Sequence, residues 1–218
     1  MSTPVLIIGE SGSGKSRSIC TLDPQTTFII ASLAKDLPFK GWRKKYSPLG
    51  KDGGNYYVTD NYDNIEKTLK YVDEKRPEIK TIVIDDFQYL MANEFMRRSG
   101  ERGYDKFTEI GEHAWKLVFN ARLLRQDLTI VFLSHSDTDD KGKTKVKTIG
   151  KLLDDKITVE GMFSIVLNTF VEDGKYYFET QTNGNNTTKS PEEMFADKRI
   201  PNDLNFVVQS IHKYNTEG

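Results

Sequence analysis

The stretch that decides the fold is Val5-Leu6-Ile7-Ile8-Gly9-Glu10-Ser11-Gly12-Ser13-Gly14-Lys15-Ser16, close to the beginning of the sequence. Its four leading apolar residues predict a short buried strand. The rest has the G-x-x-x-x-G-K-[ST] spacing of a phosphate-binding loop, or Walker A motif. The alternative interpretation is a Gly/Ser-rich turn between a strand and a helix. The strand before the loop, together with an acidic strand further along the chain, favours a nucleotide site.

Each part of this loop has a chemical role in holding a nucleotide. Glycines let the backbone turn tightly, so that several N–H groups point inward at a phosphate. A helix predicted from about Lys15 to Leu22 directs its positive end at the same group. Lys15 is expected to contact the β- and γ-phosphates during catalysis, and Ser16 to bind Mg²⁺. The residues expected to surround the nucleotide are Gly9, Glu10, Ser11, Gly12, Ser13, Gly14, Lys15, Ser16 and Arg17.

The composition is that of an ordinary globular protein with nearly balanced charge. The chain has 218 residues, of which 29% are charged, and a formal net charge of −1. This length suits one well-buried domain over residues 1–218, and the charge balance gives no general attraction to nucleic acid or membrane. The single cysteine, Cys20, has no internal partner, which favours a reducing, cytoplasmic setting. No apolar run reaches the length of about 18 residues that a membrane span needs.

Strand and helix patterns alternate along the chain. Strands are predicted at residues 5–8, 26–31, 56–59, 81–86 and 128–135, and a hairpin strand at 175–182 after the turn Glu172-Asp173-Gly174. Helices are predicted at residues 62–75, from 87 to about 98, from beyond Gly103 to about 124, and at 204–214. Such alternation predicts an α/β fold with a mostly parallel sheet covered on both faces. Ligands in such sheets bind at the carboxyl ends of the strands.

Two carboxylates end the apolar strand Ile82-Val83-Ile84. Asp85 fits the Walker B acid that holds Mg²⁺ through water. Asp86 is the candidate that orients or deprotonates the attacking water, and its alternative role is an N-cap for the helix that follows. Glu10 is the other candidate base nearby in the sequence, and its alternative is an exposed loop acid.

Polar side chains also follow the strand at residues 128–133. Ser134 and His135 are expected to face the γ-phosphate and to report its presence by hydrogen bonding, since the carboxyl end of this strand belongs to the predicted site. The strand is expected beside the phosphate-loop strand or beside the Asp85 strand. The alternative is a capped strand end with a surface histidine. No Cys/His cluster suggests zinc.

A lysine stands at every second position from Lys141 through Lys143 and Lys145 to Lys147. In an extended conformation these side chains project to one side, as a binding surface for a nucleic acid backbone requires. Nearby aspartates weaken this field, and the alternative is a solvated loop. A lysine of this segment, including Lys151, is also a candidate to reach the nucleotide of a neighbouring subunit.

These motifs together resemble the small phage-encoded P-loop ATPases of the RecA-like/AAA kind, a family that includes ATP-dependent single-strand annealing proteins of phage recombination. The resemblance covers nearly the whole chain. It rests on residues 9–16, 28–30, 37–42, 82–87, 132–135, 147–151 and 200–204. One departure is that recombinases of the RecA type carry a catalytic Glu after the second core strand, where this chain has Ala31-Ser32-Leu33.

The resemblance implies a RecA-like fold, ATP and ADP as ligands with Mg²⁺, a ring or filament of identical subunits, single-stranded DNA as partner, and a phage protein in the cytoplasm of a bacterial host. Two other classes stay open. One is a kinase for a nucleotide or small metabolite, against which the sequence shows no arginine-rich lid: the nearest cluster, Arg97, Arg98 and Arg102, is interpreted as charges on a helix surface. The other is a nucleotide-gated assembly or packaging ATPase that does not bind single strands.

Overall fold

A computed structural model of the chain describes residues 1–50, 53–149 and 157–217. Its strands are β1 (Thr3–Gly9), β2 (Thr27–Ala31), β3 (Tyr56–Val58), β4 (Thr81–Asp85), β5 (Thr129–Thr138), β6 (Thr144–Val146), β7 (Ile165–Glu172), β8 (Lys175–Glu179) and β9 (Arg199–Pro201). Its α-helices are α1 (Trp42–Lys45), α2 (Tyr62–Lys75), α3 (Gln88–Arg97), α4 (Asp105–Ala121) and α5 (Leu204–Glu217).

One sheet joins these strands in the order β3-β2-β4-β5-β1-β7-β8-β9, with β6 paired to β5. The first six strands in this order, β3, β2, β4, β5, β1 and β7, are parallel to one another. Strands β8 and β9 continue the sheet in antiparallel pairing. Strand β5 lies between β1 and β4, so it neighbours both of the strands that the sequence suggested. Gly9 is in register with His135, and Ile84 with Phe132. This register gathers the phosphate loop, the Asp85 end of β4 and His135 at one edge of the sheet.

Apolar side chains cover both faces of the sheet. On one face, Leu6 and Ile8 of β1 pack in a core with residues of α2, α3 and α4. On the other face, Val5 and Ile7 pack in a core with Ile19 and residues of α5. The predicted α/β fold, with a mostly parallel sheet and helices on both faces, is therefore confirmed.

The segment after the phosphate loop differs from the prediction of a helix from Lys15 to Leu22. It forms a 3-10 helix over Ser16–Thr21. The hydroxyl of Ser18 donates to the Lys15 carbonyl at 2.6 Å, and that of Thr21 donates to the Ser18 carbonyl at 2.8 Å. Hydroxyls that bond to carbonyls three residues back compete with the α-helical pattern, which accounts for the tighter turn.

The lysine-rich segment is part of a hairpin rather than an extended loop. Strand β5 continues past the predicted end to Thr138 and pairs with β6. Lys141 lies in the turn, where Asp139 Oδ1 accepts the backbone N–H groups of Lys141 and Lys143, both at 2.9 Å. Of the four lysines only Lys145 lies within β6, and Lys141 lies in the turn, so the expectation that all four project from one extended segment is wrong. Lys151 lies outside the described residues.

Elements with strong local signals follow the predictions closely. Helix α2 occupies its predicted range, and Asn61 caps it by accepting the N–H of Asn64 at 3.0 Å. Strands β7 and β8 meet at Asp173 and Gly174, both with positive φ, as the hairpin turn requires. Within residues 1–50, 53–149 and 157–217, no helix combines the length and apolar character needed to cross a bilayer.

Candidate nucleotide site

The phosphate loop is held against strand β7. The hydroxyl oxygens of Ser13 and Thr169 lie 2.5 Å apart, and Ser13 Oγ also donates to the Glu10 carbonyl at 2.7 Å. A Cβ atom at Gly9 would lie 1.9 Å from Thr169 Oγ1 and 2.6 Å from Ser13 Oγ. Glycine at this position is thus required by the close approach of β7.

The Lys15 ammonium is folded back onto its own loop. Nζ donates to the carbonyls of Gly9 and Glu10, both at 2.8 Å. Only 6% of the residue is exposed. Burial lowers the pKa of Lys15 to about 8, against the opposing effect of the charges on Asp86 and Asp85. A cation buried on two neutral carbonyls is poised to exchange them for an anionic partner such as a phosphate.

Ser16 and Asp85 form the candidate magnesium site. Ser16 Oγ donates to Asp85 Oδ1 at 2.8 Å. Asp85 is almost fully buried, and burial, followed by the charge of Asp86, raises the pKa of its carboxyl to about 6. Hydroxyl and carboxylate oxygens are ligands that suit Mg²⁺, which commonly uses one or two carboxylates and completes its shell with water and substrate phosphates. The donor set therefore fits the ion.

The described residues show no group of three or more His, Cys, Asp or Glu side chains that could hold a metal by themselves. A magnesium ion at Ser16 and Asp85 would thus depend on phosphate oxygens of the nucleotide. This dependence couples metal binding to nucleotide binding.

Asp86 turns its carboxylate into the cleft. Its backbone has φ 62°, a left-handed conformation that few residues other than Gly, Asn and Asp adopt. Oδ2 forms an ion pair with Lys35 Nζ, and Oδ1 lies 3.8 Å from His135 Nε2. Helix α3 begins only at Gln88, and its N-cap position, Phe87, makes no side-chain cap. The structure therefore does not support the alternative N-cap role of Asp86.

The two residues at the end of the β5 core strand face opposite ways. His135 lines the cleft, and burial, followed by the positive charge of Lys15, lowers the pKa of its imidazole, so the neutral form prevails at pH 7. Ser134 is fully buried, and its hydroxyl donates to Gln88 Oε1 at 3.3 Å. The expectation that Ser134 faces the nucleotide is therefore wrong, because neighbouring strand residues alternate between faces.

The phosphate loop, Asp86 and His135 border a cleft of about 430 Å³. Its lining residues are Ser11, Gly12, Gly14, Lys15, Ser16, Arg17, Lys35, Pro38, Asp86, His135 and Tyr176. Gly9 and Glu10 do not line this cleft; their carbonyl oxygens accept hydrogen bonds from Lys15 Nζ. The guanidinium of Arg17 lies 4.8 Å above the centre of the Tyr176 ring.

Sequence reasoning missed Lys35, Pro38, Thr169 and Tyr176 as parts of the site. Lys35 and Pro38 had one usable signal, since their loop follows the carboxyl end of β2 and such loops approach ligands in parallel sheets. Thr169 and Tyr176 had no signal of this kind. Thr169 reaches the loop because β7 pairs with β1, and Tyr176 because β8 in turn pairs with β7. Local sequence patterns do not reveal the pairing of β7 with β1.

The lysine hairpin (residues 136–147) begins at the site. The Lys147 N–H donates to the His135 carbonyl at 2.8 Å, which ties the base of the hairpin to the cleft. The side chains of Lys141, Lys143 and Lys147 are exposed, whereas Lys145 is half-buried. The buried Glu160 accepts the Val146 N–H at 2.8 Å and thereby fixes β6.

The family model AAA_24, described as an AAA domain, matches residues 2–192. No curated protein matches the sequence. The matched range contains the phosphate loop, Asp85, Asp86 and His135, and an AAA domain of this kind suggests a nucleotide-binding ATPase on a RecA-like P-loop fold. Because the match spans most of the chain, the protein belongs to the AAA domain family AAA_24.

Proposed function

We propose that the protein binds Mg-ATP in this cleft and hydrolyses it, and that it acts in DNA recombination or single-strand annealing as an oligomer on single-stranded DNA. The observation that carries the enzymatic part is the Ser16–Asp85 hydrogen bond of 2.8 Å, formed directly beside the buried Lys15 ammonium. These three groups are the parts that a P-loop ATPase needs for the phosphates and their metal.

The nucleotide would take the place of contacts that the protein now makes with itself. Lys15 would exchange the Gly9 and Glu10 carbonyls for β- and γ-phosphate oxygens. The inward N–H groups of the loop would receive the same phosphates. Ser16 Oγ and Asp85 would hold Mg²⁺, which would neutralise phosphate charge. The Ser13–Thr169 contact would hold the loop against β7 while the nucleotide binds.

Hydrolysis needs a group that accepts the proton of the attacking water. In the proposed reaction the water oxygen forms a bond to the γ-phosphorus, and the bond from that phosphorus to the β,γ-bridging oxygen breaks. The electron pair of the broken bond stays on ADP. Asp86 takes the proton of the water, because its carboxylate lines the cleft. In this proposal the neutral His135, 3.8 Å from Asp86, contacts the γ-phosphate.

The part of the proposal that concerns DNA rests on the resemblance and on the lysine hairpin. The exposed lysines Lys141, Lys143 and Lys147 offer cations for a phosphate backbone. The hydrogen bond from Lys147 N to the His135 carbonyl connects the hairpin to a residue that lines the cleft. Occupation of the cleft by ATP would thus influence how the hairpin is presented to DNA or to a neighbouring subunit.

The experiment that tests the enzymatic part measures nucleotide binding and phosphate release for two variants. Lys15→Ala should abolish both, because it removes the phosphate-binding cation. Asp86→Asn should keep ATP binding and lower kcat by about 10²- to 10⁴-fold, the range expected for losing a general base. Lys70→Ala, at an exposed position of α2, is the matched control and should behave as the unmodified protein.

Full turnover by Lys15→Ala would contradict the proposed ATPase. Transfer of phosphate to an added nucleoside or metabolite, in place of release to water, would favour the kinase class. ATPase activity with no binding of single-stranded DNA in any nucleotide state would favour an assembly or packaging ATPase.

A further inference from the structure

Lys35 brings a second lysine ammonium into the nucleotide cleft. It lies in the loop after β2, lines the cleft together with Lys15, and pairs with Asp86. Asp86 is the buried partner, with 3% of its side chain exposed, whereas 43% of the Lys35 side chain is exposed. The cation is therefore at the mouth of the cleft and has open space around it.

The backbone of Lys35 is anchored although its side chain is not enclosed. Tyr56 Oη donates to the Lys35 carbonyl at 3.3 Å. Two residues further on, Leu37 is buried in the apolar core with 3% exposed. The Lys35 side chain can thus change its partner by rotation about its own bonds, without movement of the loop.

The charges around Lys35 explain why it now contacts Asp86. Partial burial disfavours its charged form, but the hydrogen bond to Asp86 and the charge of Asp85 outweigh this effect and raise the pKa of Lys35. A triphosphate in the cleft would bring more negative charge than one carboxylate, on oxygens that a flexible ammonium can reach. The ion pair is therefore a contact that an incoming γ-phosphate competes for.

We propose that Lys35 acts in the same subunit as the cation for the γ-phosphate: it covers Asp86 when no nucleotide is bound and moves to the phosphate oxygens when ATP enters. This inference rests on the proposed ATPase function. The transfer has two effects. It neutralises charge on the phosphoryl group that is transferred, and it frees a carboxylate oxygen of Asp86 to accept a hydrogen bond from the attacking water.

Such a role removes the need for a neighbouring subunit to supply this charge. Where a cation arrives from a second subunit, hydrolysis waits for assembly. With Lys35 in place, the isolated subunit holds a cation for each side of the phosphate chain, Lys15 within the loop and Lys35 at the mouth. The hairpin lysines are then available for DNA.

The test compares Lys35→Met and Lys35→Arg with Lys40→Met. Lys40 is an exposed lysine of the same loop that does not line the nucleotide cleft, so its variant should match the unmodified protein. Three quantities are measured for each: kcat from phosphate release, the affinity for Mg-ADP, and the affinity for Mg-ADP with aluminium fluoride, which imitates the transferred phosphoryl group.

Lys35→Met should lower kcat by about 100-fold, as expected for removing one group that stabilises developing charge. Its Mg-ADP affinity should stay unchanged, while the additional affinity gained with aluminium fluoride should be lost. Lys35→Arg keeps a cation and should recover part of both losses. A merely structural role, in which Lys35 only neutralises Asp86, would lower the melting temperature without this selective loss.

Unchanged kcat in Lys35→Met, or an equal loss of affinity for Mg-ADP and for its aluminium fluoride complex, would overturn the inference while leaving the ATPase proposal intact. A lack of turnover in the unmodified protein would instead contradict the proposed function and this inference together. Lys15→Ala serves as the comparison: it should lose Mg-ADP binding itself, whereas Lys35→Met should lose only the additional affinity gained with aluminium fluoride.

Discussion

Burial shifts the pKa values of Lys15 and Asp85 in opposite directions, and both shifts are toward neutral pH. It lowers the pKa of the Lys15 ammonium to about 8 and raises that of the Asp85 carboxyl to about 6. In each case the charged form is disfavoured by loss of water. A bound nucleotide with its metal would reverse this preference, because phosphate would favour the lysine cation and Mg²⁺ would favour the carboxylate.

The affinity for Mg-ADP should therefore depend on pH on both sides of a plateau. A bound phosphate raises the pKa of Lys15 above its free value, so affinity is complete below about pH 8 and falls as the pH rises through it. A bound metal lowers the pKa of Asp85, so affinity is complete above about pH 6 and falls below it. Calorimetric titration between pH 5 and 10 is the measurement.

Two variants control this experiment. Lys15→Arg keeps a cation that does not lose its proton in this range, so the alkaline fall should disappear. Asp85→Asn should weaken Mg-ADP binding and remove the acid fall. An affinity that stays constant from pH 5 to 10 in the unmodified protein would contradict the assignment of these two groups to the phosphate and the metal.

At the scale of elements, the phosphate loop depends on strand β7 for its shape. The contact between Ser13 and Thr169 joins the loop to β7, and Thr169 Oγ1 also donates to the Ile8 carbonyl of β1 at 3.2 Å. Gly9 leaves room for this arrangement. The loop is thus shaped by a strand that lies more than a hundred residues away in the sequence, rather than by its own glycines alone.

Gly9→Ala should abolish Mg-ADP binding, since its Cβ would lie 1.9 Å from Thr169 Oγ1 and would push the loop from β7. Adding Thr169→Ala removes that oxygen and should restore part of the affinity. The remaining close contact, 2.6 Å between the new Cβ and Ser13 Oγ, can be relieved by rotation of the Ser13 side chain. Fluorescent Mg-ADP binding and melting temperature are measured for both proteins.

Gly161→Ala is the matched control, because its nearest neighbour outside the local backbone would lie 3.7 Å away, an ordinary contact. It should bind Mg-ADP normally. If the double variant is as weak as Gly9→Ala alone, the steric account of Gly9 is wrong.

At the scale of the whole molecule, positive charge is local rather than general. The net charge of the chain is −1, so attraction to DNA must come from a particular surface. The lysine hairpin projects from the same edge of the sheet as the cleft, since β5 continues directly into it. This arrangement places the candidate nucleotide site and the proposed DNA contact at one end of the molecule.

Binding of single-stranded DNA should weaken as salt increases, and the hairpin should account for part of that dependence. The double variant Lys143→Gln/Lys147→Gln should reduce the slope of log K against log salt by about 0.7 for each lysine that meets a phosphate. Fluorescence anisotropy is measured with Mg-ATP, with a non-hydrolysable analogue and without nucleotide.

The matched control Lys70→Gln/Lys75→Gln changes two exposed lysines of α2 and should keep the slope. An equal slope in hairpin and control variants would exclude the hairpin as the DNA contact.

Local signals explain which predictions succeeded. The phosphate loop, helix α2 and the turn at Asp173 and Gly174 each depend on residues a few positions apart, and all three form as predicted. The 3-10 turn after the loop and the hairpin at β6 were missed. The first depends on competing hydroxyl bonds, and the second on packing of Val146 and on the bond from its N–H to Glu160.

By itself, the sequence determined which groups form the candidate nucleotide site: a phosphate loop with Lys15 and Ser16, and the acids Asp85 and Asp86 at the end of a buried strand. These are properties of short stretches, in which spacing alone sets the backbone shape. Only the tertiary structure decided that Ser134 turns away, that Thr169 holds the loop, and that Lys35 meets Asp86. The reason is that these contacts arise where separate strands end side by side, and the order of strands in a sheet is set by the packing of the whole chain.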